Sequence, residues 1–177
     1  MKKNKIFDTR TVVTLGVLVA MHIVLSRWLS INTPYLKIGF AFVPVFIAAY
    51  LYGPIAAGVA SGVADVLGAT LFPSGPFFPG FTLTSVLIGV VYGLFIYKKQ
   101  TPLRILLAVL INQLVFGLLL NTYWISLLYG SSYVALLGTR VFQCLLLIPV
   151  EVVVMTAMTK PMTHLARVAH FRNEVSV

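Results

Sequence analysis

The 177-residue chain carries 13 Lys and Arg against 4 Asp and Glu, and 59% of its residues are hydrophobic. Charged residues make up about 25% of an ordinary soluble chain; here they are 10%, with no polar block that could form a water-soluble catalytic or sensor domain. The expectation is an all-α integral membrane protein, one membrane domain over residues 1–177. The net charge of +9 reads as topogenic charge on the cytoplasmic side. Lys and Arg are not clustered with exposed aromatics, which excludes nucleic acid as a partner. Cys144 is the single cysteine and lies in an apolar run. No CxxC, HExxH or Cys/His cluster is present, so no metal site is expected.

A bilayer core takes about 20 apolar residues per helix, and six spans are expected. The first runs from about Thr11 to Leu29, behind a basic segment of Lys2, Lys3, Lys5 and Arg10. It has the basic start of a signal peptide, but it is long, carries Arg27 at its far end and lacks a small-x-small cleavage site, so it reads as retained. The second span covers Ile38 to Leu51, or starts nearer Tyr35. The third covers Pro54 to Leu71 and the fourth Phe81 to Tyr97. The fifth starts at Pro102, where proline suits the first helical turn, and passes Asn121 towards Leu128. The sixth runs from Tyr133 to about Met158 and is expected to stop at Lys160-Pro161.

Six spans put ten of the thirteen basic residues on one side: the four before the first span, then Lys98, Lys99 and Arg104, then Lys160, Arg167 and Arg172. Lys and Arg mark the cytoplasmic side, so both termini are expected there, with tails of about residues 1–10 and 160–177. Arg27, Lys37 and Arg140 remain. Arg27 lies near the outer end of the first span, Lys37 in the next loop, and Arg140 about two turns, roughly 10 Å, into the sixth span. An ionisable side chain within a span is a functional candidate by default. Arg27 and Lys37 read equally well as interfacial anchors, whereas Arg140 is too deep to snorkel easily. Asp65, near the middle of the third span, either neutralises an arginine or accepts hydrogen bonds from a ligand. Glu151 is expected to cap a polar contact at the inner face. Three cations against at most one acid make an outer pocket suited to an anionic organic solute.

The segment Leu71 to Phe81 holds three prolines, two glycines and four phenylalanines. Proline and glycine break helix there, and Phe72, Phe77, Phe78 and Phe81 must pack over the bundle or wall a ligand. Asn121 and Trp124, three residues apart, are expected to share a helix face, pairing an amide with an indole suited to a flat heteroaromatic ring. Gly16 and Ala20 in the first span, and Ala56, Ala60, Ala64 and Gly68 in the third, form small-xxx-small stripes that permit close helix approach. On the first helix the stripe reads either as packing or as docking for another membrane protein. Ser61 with His22 could be cast as a serine dyad, but nothing supplies an oxyanion element, and no enzyme is expected.

Several stretches resemble the S components of energy-coupling factor (ECF) transporters, and among these the folate-specific ones. They are Ile23–Arg27, Gly39–Pro44, Ala64-Asp65, Gly68-Ala69, Leu71–Pro73, Phe78–Thr84, Leu120–Thr122 with Trp124, and Leu127–Gly130. The similarity covers roughly residues 10 to 160, and its most specific part is Pro79-Gly80-Phe81-Thr82. The stripe reads Gly16-x-x-x-Ala20 where the family usually has Ala-x-x-x-Ala, a change that keeps the surface flat. The resemblance implies a six-helix substrate-capture subunit of the bacterial plasma membrane. It would bind folate from outside and dock on a transmembrane coupling protein (EcfT) driven by two ATP-binding subunits. The chain has no Walker A pattern, in keeping with ATP hydrolysed by partners and no cofactor of its own. Under that resemblance Arg27, Lys37 and Arg140 would serve the carboxylates, while Phe72, Phe78, Phe81 and Trp124 would offer ring faces. Asp65 or Asn121, with Thr82 nearby, would read the pterin edge, and Gly16 and Ala20 would dock the partner. An S component for biotin, pantothenate or riboflavin, and a stand-alone carrier, are the other readings the residues allow.

Overall fold

The computed structural model describes residues 9–32, 37–73 and 75–168. Helix α1 (Thr9–Arg27) leads into a small antiparallel hairpin of β1 (Ser30–Asn32) and β2 (Lys37–Gly39). Ser30 pairs with Gly39 and Asn32 with Lys37. The hairpin corrects the expected start of the second span, since Ile38 lies in β2 and helix α2 (Phe42–Leu71) begins later. Gly39 suits this register because a Cβ there would run into the Ser30 side chain. Helix α3 (Pro79–Ile96) follows. Then α4 (Pro102–Leu110), a π-helical segment (Ile111–Leu120) and α5 (Asn121–Tyr129) run on as one 28-residue rod. Helix α6 (Tyr133–Val168) completes the bundle. Among the described residues, five helical stretches are long and apolar enough to cross a membrane.

Chain punctuation explains most boundaries. Inside α2, Gly53 has φ 83° and breaks the helix just before Pro54. The residue before proline is pushed out of the α region, and glycine alone takes positive φ without steric cost. The break falls where the second and third spans were expected to part. Gly53 lies against the Tyr97 ring at the end of α3, whereas Gly68, near the other end of α2, lies against the Arg27 guanidinium at the end of α1. Pro79 and Pro102 each sit in the first turn of their helices, and Thr101 Oγ1 accepts a hydrogen bond from the Arg104 amide. Gly130, with φ 63°, ends α5 in the left-handed conformation usual for a helix C-terminus.

Helix α6 runs through both Pro149 and Pro161, so the expected stop at Lys160-Pro161 is not observed. A proline removes one backbone bond, a loss that long membrane helices absorb. The side chains of His164–Val168 and all of residues 169–177 lie outside the described residues.

The closest packing is between α2 and α3. Added Cβ atoms at Gly58 and Gly62 would press on Val90 and Val86, and one at Gly89 would press on the Ala57 carbonyl. Small residues thus let two backbones touch, as in other membrane helix pairs. The buried core, including Phe46, Tyr92, Ile96, Ile105, Val109 and Met155, fills one end of the bundle. Large apolar side chains such as Val17, Ile55, Leu94, Phe142 and Val153 cover the exterior, the pattern expected of helices set in lipid. The other end, where Arg27, the hairpin and the segment around Phe78 gather, is open.

Candidate functional site

That open end leads into a cavity of about 500 Å³. Small-molecule sites run from roughly 300 to 1,000 Å³. Helix α3 lines it with Phe81, Ser85, Ile88 and Tyr92, descending one face of the helix over about 16 Å at 1.5 Å per residue. Helix α6 contributes Arg140, Cys144, Leu147 and Glu151 over a similar length, and the rod contributes Asn112, Gln113, Gly117, Asn121 and Ile125. Arg27 closes one side of the mouth and Asp65 lines it from α2.

The mouth is built from aromatic groups held by polar ties. Phe78, extended just before α3, has its ring 6.0 Å from Phe81 and 5.4 Å from Trp124. Trp124 Nε1 donates to Thr84 Oγ1 at 3.1 Å, and Thr84 Oγ1 donates in turn to the Gly80 carbonyl at 2.9 Å. Thr82 Oγ1 donates to Asp65 Oδ2 at 2.8 Å, which fixes the carboxylate while leaving it further acceptor capacity. Arg140 is 7% exposed. Its Nη1 donates to the Gly117 carbonyl at 3.1 Å and to Thr122 Oγ1 at 3.3 Å. Gly117 belongs to the π segment, a winding often found at functional sites.

Of the residues expected at the site, Arg27, Asp65, Phe78, Phe81, Asn121 and Arg140 line the cavity. Thr82 and Trp124 support it from behind, through Asp65 and through Phe78 and Thr84. Asn121 and Trp124 therefore do not present a joint face to a ligand. Phe72 is 43% exposed and packs edge-on against Trp28 at 5.8 Å, outside the cavity lining. It stays outside because α2 ends at Leu71, which turns the chain away before the ring can reach the mouth. Lys37 lies in β2, and its side chain falls outside the described residues. Gly16 and Ala20 are exposed on α1, and an added Cβ at Gly16 would meet nothing within 4 Å.

Asn112 and Gln113 line the cavity as well; two adjacent amides in an apolar span are the signal in the sequence that marks them. Glu151 is not the expected cap at the inner face. Instead Glu151 is 5% exposed and lines the cavity. It accepts from Tyr92 Oη at 3.0 Å and from Gln113 Nε2 at 2.7 Å. Among the described residues no cluster of His, Cys, Asp and Glu could hold a metal ion.

A packed apolar bundle, open at one end into a ligand-sized cavity with fixed charges, is a membrane protein that captures a small solute. The chain belongs to the substrate-specific components of ECF transporters: residues 10–158 match the family described as "ECF transporter, substrate-specific component". It is thus a multi-pass protein of the bacterial plasma membrane, a transport component rather than an enzyme, and its family works with an energy-coupling module. It is 39% identical over 138 residues to the folate transporter FolT of Clostridium novyi (strain NT), covering 77% of this chain and 80% of that protein. It is 36% identical over 152 residues to FolT of Leuconostoc mesenteroides subsp. mesenteroides, covering 82% of each. The crystal structure of FolT bound with folic acid has a TM-score of 0.80 and 37% identity, covering 85% of this chain and 91% of that one.

Proposed function

We propose that this chain captures a folate from outside the cell and presents it to an ATP-driven coupling module. The observation that carries this reading is one cavity with Arg27 and Arg140 as fixed cations and Phe78 and Phe81 as ring surfaces. Folate combines flat rings with a dicarboxylate tail, and both halves find complementary groups. The likeness to FolT in sequence and in structure supports the same ligand. Equilibrium titration of the purified protein with folate tests it. Saturable binding at or below micromolar concentration is expected; no binding there, with tight binding of riboflavin, biotin or pantothenate, assigns the cavity to another vitamin.

The two arms of α2 are read as separate crossings, giving six, with both termini in the cytoplasm and the mouth facing out. Two contacts support this. Gly53 meets Tyr97 at the closed end, while Gly39 before it, in the hairpin, and Gly68 after it, against Arg27, both lie at the mouth, so the chain turns back at Gly53. The exposed α1 face carrying Gly16 and Ala20 is the docking surface for the transmembrane coupling protein EcfT, whose two ATP-binding subunits supply the energy. Because nothing in the chain lies near a Cβ at Gly16, Gly16→Leu should leave folate binding unchanged and abolish uptake in cells that carry the coupling module. Uptake by the chain without that module would identify it as a stand-alone carrier.

A further inference from the structure

The closed end of the bundle carries charge without counter-charge. Lys98 and Lys99 follow α3, Arg104 lies in the first turn of α4, and Lys160 lies in α6. Lys98, Arg104 and Lys160 each sit within two residues of Ile96, Ile105 or Met162, which belong to one packed core cluster. The three lysines are exposed and Arg104 is half-buried. Among the described residues the acids are Asp65 and Glu151, and both line the cavity. These cations therefore have no carboxylate partner among the described residues.

Helix length sets their level. The hydrocarbon core of a bilayer is about 30 Å thick, and about 40–45 Å with its headgroups. At 1.5 Å per residue, Arg104 lies about 38 Å from Tyr129 along the rod, and Lys160 about 40 Å from Tyr133 along α6. Helix α3 spans about 27 Å, and Lys98 and Lys99 come directly after it. With the two tyrosines at the opposite interface, the cations fall in the phosphate layer, past the acyl chains and short of bulk water.

Apolar strips lead up to these charges. Leu94 is exposed one turn before Lys98, Leu103 and Leu107 share an exposed face of α4 beside Arg104, and Val153 is exposed two turns before Lys160. Helix α4 packs between α3 and α6. The three strips therefore stand side by side over about 20 Å, at 8–10 Å for each helix pair. Topogenic charge needs neither a common level nor apolar strips that end at the cations. An acidic partner protein would need cations standing clear of the headgroups.

We propose that this α3–α4–α6 face binds an anionic glycerophospholipid, with its phosphate beside the cations and its acyl chains along Leu94, Leu103, Leu107 and Val153. Basic clusters between membrane helices hold phosphorylated headgroups in this way. The face lies at the opposite end of the bundle from the cavity mouth, so it is independent of the ligand that the cavity takes. A bound lipid ties the closed end to one headgroup layer.

The test is a lipid titration of the purified, delipidated full chain, read by native mass spectrometry. Phosphatidylglycerol is compared with phosphatidylcholine carrying the same acyl chains. One basic side chain near an anionic headgroup is worth about fivefold, so phosphatidylglycerol should bind about tenfold more tightly or better. Lys98→Gln/Lys99→Gln/Lys160→Gln should remove most of that preference while circular dichroism shows the same helix content. Should the triple variant not fold, Lys160→Gln alone carries the comparison, with a loss of about fivefold expected. Lys2→Gln/Lys3→Gln/Lys5→Gln removes as much charge from the N-terminal segment and should keep the preference. Equal losses in the two triple variants mean diffuse attraction to net charge and overturn the site. Equal binding of the two lipids by the unaltered chain also overturns it. Inorganic phosphate at millimolar concentration should leave the lipid in place; full displacement assigns the face to free phosphate and overturns the lipid.

Discussion

The Trp124 indole N–H donates to Thr84 Oγ1 at 3.1 Å, tying α5 to α3 directly behind the Phe78 ring. Thr84 is almost wholly buried and already donates to the Gly80 carbonyl, so it can only accept from the indole. Trp124→Phe keeps a ring against Phe78 and removes this donor; a loss of about 1 kcal/mol is expected. Trp124→Ala removes the ring as well and should cost more, about 3 kcal/mol. Thermal unfolding in detergent, with and without folate, measures both.

Gly80 lies under the same aromatic group. An added Cβ would sit 2.7 Å from the Trp124 ring and 2.5 Å from that of Phe78. Both rings would have to move, and overpacking of this kind costs about 1–3 kcal/mol. Gly80→Ala should therefore weaken folate binding at least several-fold while the far end of the bundle keeps its packing. Titration of the variant, with circular dichroism as the check on helix content, reads the two effects separately.

The two arginines should behave differently. Arg27 stands at the mouth, so Arg27→Ala should weaken folate tenfold or more and weaken pteroate, which lacks the glutamate, much less. Arg140 holds the Gly117 carbonyl and Thr122. Removing its side chain takes away the charge and leaves both acceptors without this donor, so Arg140→Ala should weaken folate and pteroate alike and lower the unfolding temperature. Paired titrations with both ligands decide each case.

Sidedness can be read with single cysteines and a membrane-impermeant maleimide in intact cells. Ser132→Cys should label from outside, whereas Lys99→Cys, Lys160→Cys and Thr9→Cys should label only after the cells are opened. Thr9 is the discriminating position, because five crossings would put it outside. The native Cys144 is buried and should contribute little background.

Much of this architecture is legible in the chain because proline and glycine punctuate it. Pro54, Pro79 and Pro102 mark boundaries that backbone sterics enforce whatever the tertiary context. Arg140 and Asp65 are legible for a different reason: a charge inside an apolar span has to be explained. Other features leave weaker traces. The β1–β2 hairpin has strands of three residues, too short for an alternating pattern to show. Pro161 carries the usual mark of a helix end but does not act as one. Phe72 and Phe78 look equivalent in a phenylalanine-rich segment, and only the point where α2 stops separates one that walls the cavity from one that packs outside. Glu151 was visible as a buried acid, but its depth depends on Tyr92 and Gln113, distant in sequence and brought to it only by the packing of three helices.

The π segment Ile111–Leu120 has one further consequence. In an α-helix four residues advance about 400°, so positions four apart drift by roughly 40° at each step around the axis. A π-helix encloses one more residue in each hydrogen-bonded loop, and the drift largely disappears. Gln113, Gly117 and Asn121 can therefore stand in a near-vertical column down the cavity wall. The winding works as a ruler: it keeps an amide at the floor, the carbonyl that holds Arg140 midway and an amide near the mouth in line along a single edge.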